Sequence, residues 1–257
     1  MSRTASVQSV EERIQIAKRH AHRVREEVRH AVDCWAALEH LHKLRTTDKV
    51  FDKALECNFP SGLRKVCDAL FAETVATLMR AIDQPGNDRI SLCTIACCIR
   101  PPEVQQYLLS DAWVYGTPAP GDEQYRIELR RHQEIALARF SRDIPNNWTN
   151  CDHGGKSLVK PVRTALRPMR DKLLSHSQAV NSDDISCADA VRKALSVVGN
   201  NAARIDLLFF RFDSEAQYDL PTQVSVSGEV WKDLYLGSKR RYVDAISEDE
   251  KWAKLDK

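Results

Sequence analysis

Residues 10–38 read VEERIQIAKRHAHRVREEVRHAVDCWAAL, and their apolar members decide the fold class. Val10, Ile14, Ala17, Ala21, Val24, Val28, Ala31, Trp35 and Leu38 alternate steps of four and three without a miss. That spacing tracks the helical turn and lays one apolar stripe along one helix. The pattern predicts a helix from about Val7 to Leu44, on the order of 50 Å long, serving as the spine of a bundle or as a contact between copies.

The same signal recurs along the chain. Ala188, Val191, Leu195, Val198, Ala202, Ile205, Phe209 and Phe212 form a second regular stripe, with Ser186 and Asp189 placed as a helix start. Leu63, Val66, Leu70, Val75, Leu78 and Ile82 predict a helix stopped near Pro85-Gly86. Ile90 to Ile99 predicts another, interrupted at Pro101-Pro102 and resumed to about Trp113. Asp122 to Arg142 reads as a helix with a heavily charged face, and Leu158, Val162, Leu166, Met169 and Leu173 stripe a further one. Beyond Asp213 only a brief alternation at Gln223–Ser227 and a short amphipathic helix, Glu229–Tyr242 with Lys239-Arg240-Arg241 at its end, stand out. The expected fold is all-α: an antiparallel up-and-down helical bundle over 1–212, with a C-terminal appendage over 213–257.

Composition agrees with helix over sheet, since only 9 glycines occur in 257 residues and aromatics make up 7%. The formal net charge of +2, from 38 basic and 36 acidic residues, means that any surface for a polyanion must be local. No apolar run reaches the roughly 18 residues of a membrane span, and Met1 to Val10 lacks the apolar core of a leader. The 8 cysteines are scattered, several at helical spacing among apolar residues as in Cys93, Cys97 and Cys98. They read as reduced thiols packed in a core, which places the chain in a cytoplasm with no membrane association.

One local basic surface is legible. Lys156, Lys160, Arg163, Arg167 and Arg170 step by four, three, four and three, so they line one helix face. Their mutual repulsion calls for water, acidic neighbours or a polyanion. Two readings stay open on spacing alone: a solvated face paired with acids such as those of Asp122 to Glu134, or a row for a phosphate backbone. Pro168 lies inside this segment and predicts a kink or a restart near Arg167. On an unbroken helix Arg170 and His176 stand about 120° apart, so a kink, a fraying end or a second subunit must bring them together.

The run Leu166-Arg167-Pro168-Met169-Arg170-Asp171-Lys172-Leu173-Leu174-Ser175-His176 resembles the signature of the HEPN superfamily: arginine, four to six residues, then histidine, with a polar residue after the arginine. The wording is closest to the AbiU2-like branch, linked to abortive infection, with serine at a position often occupied by alanine. The resemblance covers about a dozen residues within a helical context. It implies a bundle that dimerises through the motif helix, so that two Arg/His sets face one cleft. It also implies metal-independent endoribonuclease activity with no cofactor and no metal ligand.

The residue types suit that chemistry. Histidine as a residue type titrates near neutrality, so His176 is expected to take the 2′-hydroxyl proton or give one to the departing 5′-oxygen. Arg170 stays charged and offers a planar fork to the scissile phosphate, while Asp171 orients Arg170 or the partner histidine. The RNA-binding residues are expected to be Lys156, Lys160, Arg163 and Arg167. Apart from the resemblance, His176 reads as a polar residue favoured at a helix C-terminus. The expected function is a toxin or phage-defence effector that cleaves RNA, with an antitoxin or regulatory protein as a further partner. The alternatives are a non-catalytic helical module that binds RNA or a protein, and a structural bundle with the first helix as its interaction surface.

Other signals were weaker. His20, His22, His30, His40 and His42 crowd the first helix but point in several directions and complete no metal set. Cys151-Asp152-His153 pairs a nucleophile and a base only by adjacency. Gly154-Gly155-Lys156-Ser157 lacks the upstream glycine and the preceding strand of a phosphate-binding loop.

Overall fold

A computed structural model describes residues 9–49, 52–53, 62–83, 90–110, 123–144, 159–175, 185–210 and 223. Among them are seven helices and no strand: α1 (Val10–Thr47), α2 (Gly62–Ala81), α3 (Leu92–Ile99), α4 (Pro102–Leu108), α5 (Glu123–Asp143), α6 (Val159–Ser175) and α7 (Ile185–Phe210). The fold is all-α, as the periodicity requires. The expected C-terminal helix at Glu229–Tyr242, and the rest of the appendage apart from Gln223, lie outside the described residues.

α1 begins at Val10, the first stripe residue and three residues after the expected start at Val7, because Ser9 caps it. The Glu12 N–H donates to Ser9 Oγ at 3.2 Å and the Ser9 N–H to Glu12 Oε2 at 3.0 Å, a reciprocal pair that satisfies two otherwise orphan donors. At the other end the Thr46 and Thr47 hydroxyls fold back on the Lys43 carbonyl, at 2.9 and 2.8 Å. Of the nine stripe residues only Val10 is not buried. Val32, Cys34, Ala36 and Leu41 are buried as well, so the second half of α1 packs on more than one side.

Pairs along the helices fix their directions. Glu27 of α1 meets Arg80 of α2, His30 meets Glu73 and Trp35 meets Phe71, so rising numbers meet falling ones and the two helices are antiparallel. Likewise Arg25 lies under Phe210 and Glu39 bonds Arg192, which makes α1 antiparallel to α7. α1 is thus the spine between α2 and α7. α3 is buried almost all round, as an apolar helix with no polar face must be, and Ser91 caps it through the Thr94 N–H at 3.2 Å. Pro101 ends that run and Pro102 opens α4, where a missing N–H costs nothing.

α7 carries the predicted stripe into the core at Val191, Leu195, Val198, Ala202, Ile205 and Phe209. α5 crosses it, tied by Gln133 Nε2 donating to the Leu207 carbonyl at 3.2 Å and by an ion pair between Asp143 and Arg204. Six cysteines form no disulfide among the described residues, and Cys34, Cys93 and Cys98 are buried. Burial pushes the Cys98 thiol up to about 11, a setting for packing rather than for reactivity. Among the described residues no helix is long and apolar enough to cross a membrane.

Candidate functional site

α6 holds the basic row. It buries Val162, Leu166 and Met169, at i, i+4 and i+7, against its neighbours α2 and α7, and that stripe turns the arginines away from the core. The helix runs through Pro168 as one element from Val159 to Ser175, without the expected restart. Pro168 is exposed, so its ring displaces no core contact.

Three members of the row are fully described, and acids meet each. Arg163, half-buried, lies 3.8 Å from Asp83 at the end of α2. Arg170 donates from Nε and Nη2 to Asp171 Oδ1, at 3.0 and 2.7 Å. Arg167 Nε lies 3.7 Å from the second oxygen, Asp171 Oδ2. Asp83 and Asp171 thus offset the repulsion that the sequence left open. Arg170 is 32% exposed against 69% for Arg167, so Arg170 rests against the body while Arg167 reaches into solvent.

The consequence for Asp171 is electrostatic. The hydrogen bonds from Arg170, then the charges of Arg170 and Arg167, hold its carboxyl below the usual range, so it is ionised at neutral pH. Neighbouring residues on a helix seldom face each other, yet the long arginine side chain curls onto its neighbour. This fixes the Nε/Nη2 edge of the guanidinium. Among the described residues Arg170 Nη1 makes no hydrogen bond and remains a donor for a ligand.

The other candidate residues are less fully placed. Lys160 falls within α6. Lys156 and His176 lie outside the described residues, His176 directly after the last residue of α6. The structure therefore brings Arg170, Asp171 and Arg167 together but leaves the Arg170–His176 relation undescribed.

A second polar site was not read from the sequence. His22, Arg23, Glu26, Glu27 and His30 of α1 line a cleft of about 600 Å³ whose far wall is Glu73 and Arg80 of α2, with Ile90 beside them. His20, by contrast, is buried. The one available signal was the four-residue spacing of His22, Glu26 and His30; it becomes a site only when α2 supplies the opposite wall. Among the described residues no three His, Cys, Asp or Glu side chains are grouped to hold a metal.

Compared with protein-family models, curated proteins and solved structures, the chain matches none.

Proposed function

We propose that this protein is a metal-independent endoribonuclease of the HEPN type, acting as a toxin or phage-defence effector. The observation that carries the reading is the grouping of Arg170, Asp171 and Arg167 in the C-terminal half of α6, which ends at Ser175, one residue before the His176 of the Arg-x5-His motif. Asp171 sets the pose of Arg170, and Nη1 is left to meet a phosphate oxygen.

In this reading His176 accepts the 2′-hydroxyl proton. The 2′-oxygen attacks phosphorus, the bond to the 5′-oxygen breaks, and a second histidine protonates the leaving oxygen. Arg170 balances the charge that builds on the phosphorane. A homodimer through the motif helix supplies the second histidine. Arg163, Arg167, Lys160 and Lys156 follow the backbone of the bound RNA.

The test is cleavage of an RNA beside the DNA of the same sequence. The expected result is a cut RNA and an intact DNA, since DNA lacks the 2′-nucleophile. Both cut, or both intact, counts against the proposal.

One observation favours a second reading. Asp171 already neutralises part of the charge of Arg170 and Arg167. A surface so balanced suits a module that holds RNA without cutting it, and intact but salt-sensitively bound RNA is its mark.

A further inference from the structure

The cleft between α1 and α2 has a chemistry of its own. Its volume, about 600 Å³, falls inside the ~300–1,000 Å³ of small-ligand clefts. Arg80, on the wall formed by α2, is held by acids of both helices. Its Nε and Nη2 donate to Glu27 Oε2 at 3.1 and 2.9 Å, and Nη2 also reaches Glu73 Oε1 at 3.2 Å and Thr77 Oγ1 at 2.8 Å. Each carboxylate therefore spends one oxygen on Arg80. Among the described residues Glu27 Oε1 and Glu73 Oε2 accept no hydrogen bond. The bond from the Thr77 hydroxyl, and then Arg80, hold the Glu73 carboxyl below its usual range against the opposing effect of burial, so it is an ionised acceptor.

Aromatic and guanidinium planes surround these acceptors. The His22 and His30 side chains are exposed on the same stretch of α1, and His30 Nε2 lies 3.8 Å from Glu73 Oε1. Arg23, exposed at the rim, makes no ion pair among the described residues. One turn past Arg80, Asp83 meets Arg163 of α6 at 3.8 Å, so the end of α2 that carries Arg80 is fastened to the basic row. From Arg163 to Arg170 is about 10 Å along α6.

Three carboxylates exclude a phosphate backbone from this cleft. A strand held along α6 can still offer it an unstacked base. The geometry points to a guanine base as the occupant, an assignment that rests on the RNA reading of α6. Guanine alone presents two adjacent donors, N1–H and the N2 amino group, to the oxygens left over, Glu27 Oε1 and Glu73 Oε2. Adenine and cytosine set a ring acceptor beside their amino group, and uracil flanks its one N–H with two carbonyls; both arrangements are repelled by a carboxylate. The imidazoles and guanidiniums supply stacking planes and a donor for O6.

The test uses the full chain and short 2′-O-methyl uridine oligomers, which lack the nucleophile and stay intact. One carries a central guanosine, one a central inosine, and one no substitution. Fluorescence anisotropy is expected to show the guanosine oligomer bound roughly tenfold tighter than the all-uridine one, with most of that gain lost for inosine, which lacks the N2 amino group. Glu73→Gln and Glu27→Gln are each expected to remove the preference while helical circular dichroism is kept. The inosine arm alters only the RNA and decides the matter even if a variant fails to fold. Equal affinity for the guanosine and uridine oligomers overturns the guanine assignment and leaves the RNA reading standing. Binding of none of the oligomers overturns both. Displacement by guanosine 5′-monophosphate supports guanine recognition in any setting; a preference that the free nucleotide fails to compete supports recognition of guanine on a strand.

Discussion

Asp171 Oδ1 accepts two hydrogen bonds from the residue before it, Arg170 Nε at 3.0 Å and Arg170 Nη2 at 2.7 Å, and so fixes one edge of that guanidinium. The pair sits on the exposed side of α6, beside Arg167. Asp171→Asn removes a negative charge from the row and loosens Arg170. RNA affinity is expected to rise a few-fold by the added net charge, about the worth of one ionic contact, while cleavage falls because Arg170 is no longer posed. Anisotropy and a cleavage time course measure the two separately. Affinity and cleavage moving together contradicts a positioning role.

Arg167 is the most exposed described arginine of the row, and it shares Asp171 rather than holding it alone. Arg167→Ala is expected to lower the slope of log affinity against log salt by about 0.7 for single-stranded RNA, one phosphate contact, without changing helix content. Binding titrations over a range of salt concentrations read this directly. An unchanged slope removes Arg167 from the RNA track.

Between α5 and α7 the ion pair of Asp143 and Arg204 is a structural lock. Asp143 is nearly buried, and Asn201 Oδ1 accepts a further bond from Arg204 Nη1 at 3.0 Å. Removing Arg204 leaves the buried carboxylate to Arg142 alone, whose Nε donates to Oδ1 at 2.9 Å, so Arg204→Ala is expected to cost about 2 kcal/mol in urea unfolding. Burial opposes ionisation of Asp143, but Arg204 and Arg142 more than offset it and hold its carboxyl below the ordinary range. A depressed carboxyl stabilises the fold above its unfolded value and ceases to do so as pH falls through the folded one. The loss therefore begins below about pH 4 and is expected to be shallower in Asp143→Asn. Thermal melts across that range check it.

His20 is buried on α1, and among the described residues its Nδ1 meets no hydrogen-bond partner. Burial, then the charges of Arg23 and Arg19, lower its proton affinity. The unfolded chain binds that proton more readily, so the fold loses stability as pH drops below about 6.5. His20→Leu is expected to gain roughly 1 kcal/mol and to flatten this slope. A variant that melts with the same pH dependence as the wild type contradicts the assignment.

The helices were legible because their stripes are regular. Val24, Val28 and Ala31 could face only one way, and they are fully buried. The ends were less legible: the reciprocal Ser9–Glu12 cap sets where α1 starts, and apolar spacing carries no information about it. The row Arg163, Arg167 and Arg170 was visible as a row, but its neutralising acids were not. Asp83 comes from another helix, and Asp171 acts through a curled side chain that spacing rules do not anticipate. The α1–α2 cleft was invisible for the same reason. His22, Glu26 and His30 complete no site on α1 alone, and Glu73 and Arg80 come to stand opposite them only in the fold.

The most direct measurement mixes the purified protein with end-labelled RNA in excess EDTA, beside Arg170→Ala and His176→Ala, and maps the product ends. The wild type is expected to leave 2′,3′-cyclic phosphate and 5′-hydroxyl ends, with cleavage lost in both variants and all three proteins equally helical. Cleavage that survives both substitutions, or a folded wild type that leaves every RNA intact, contradicts it.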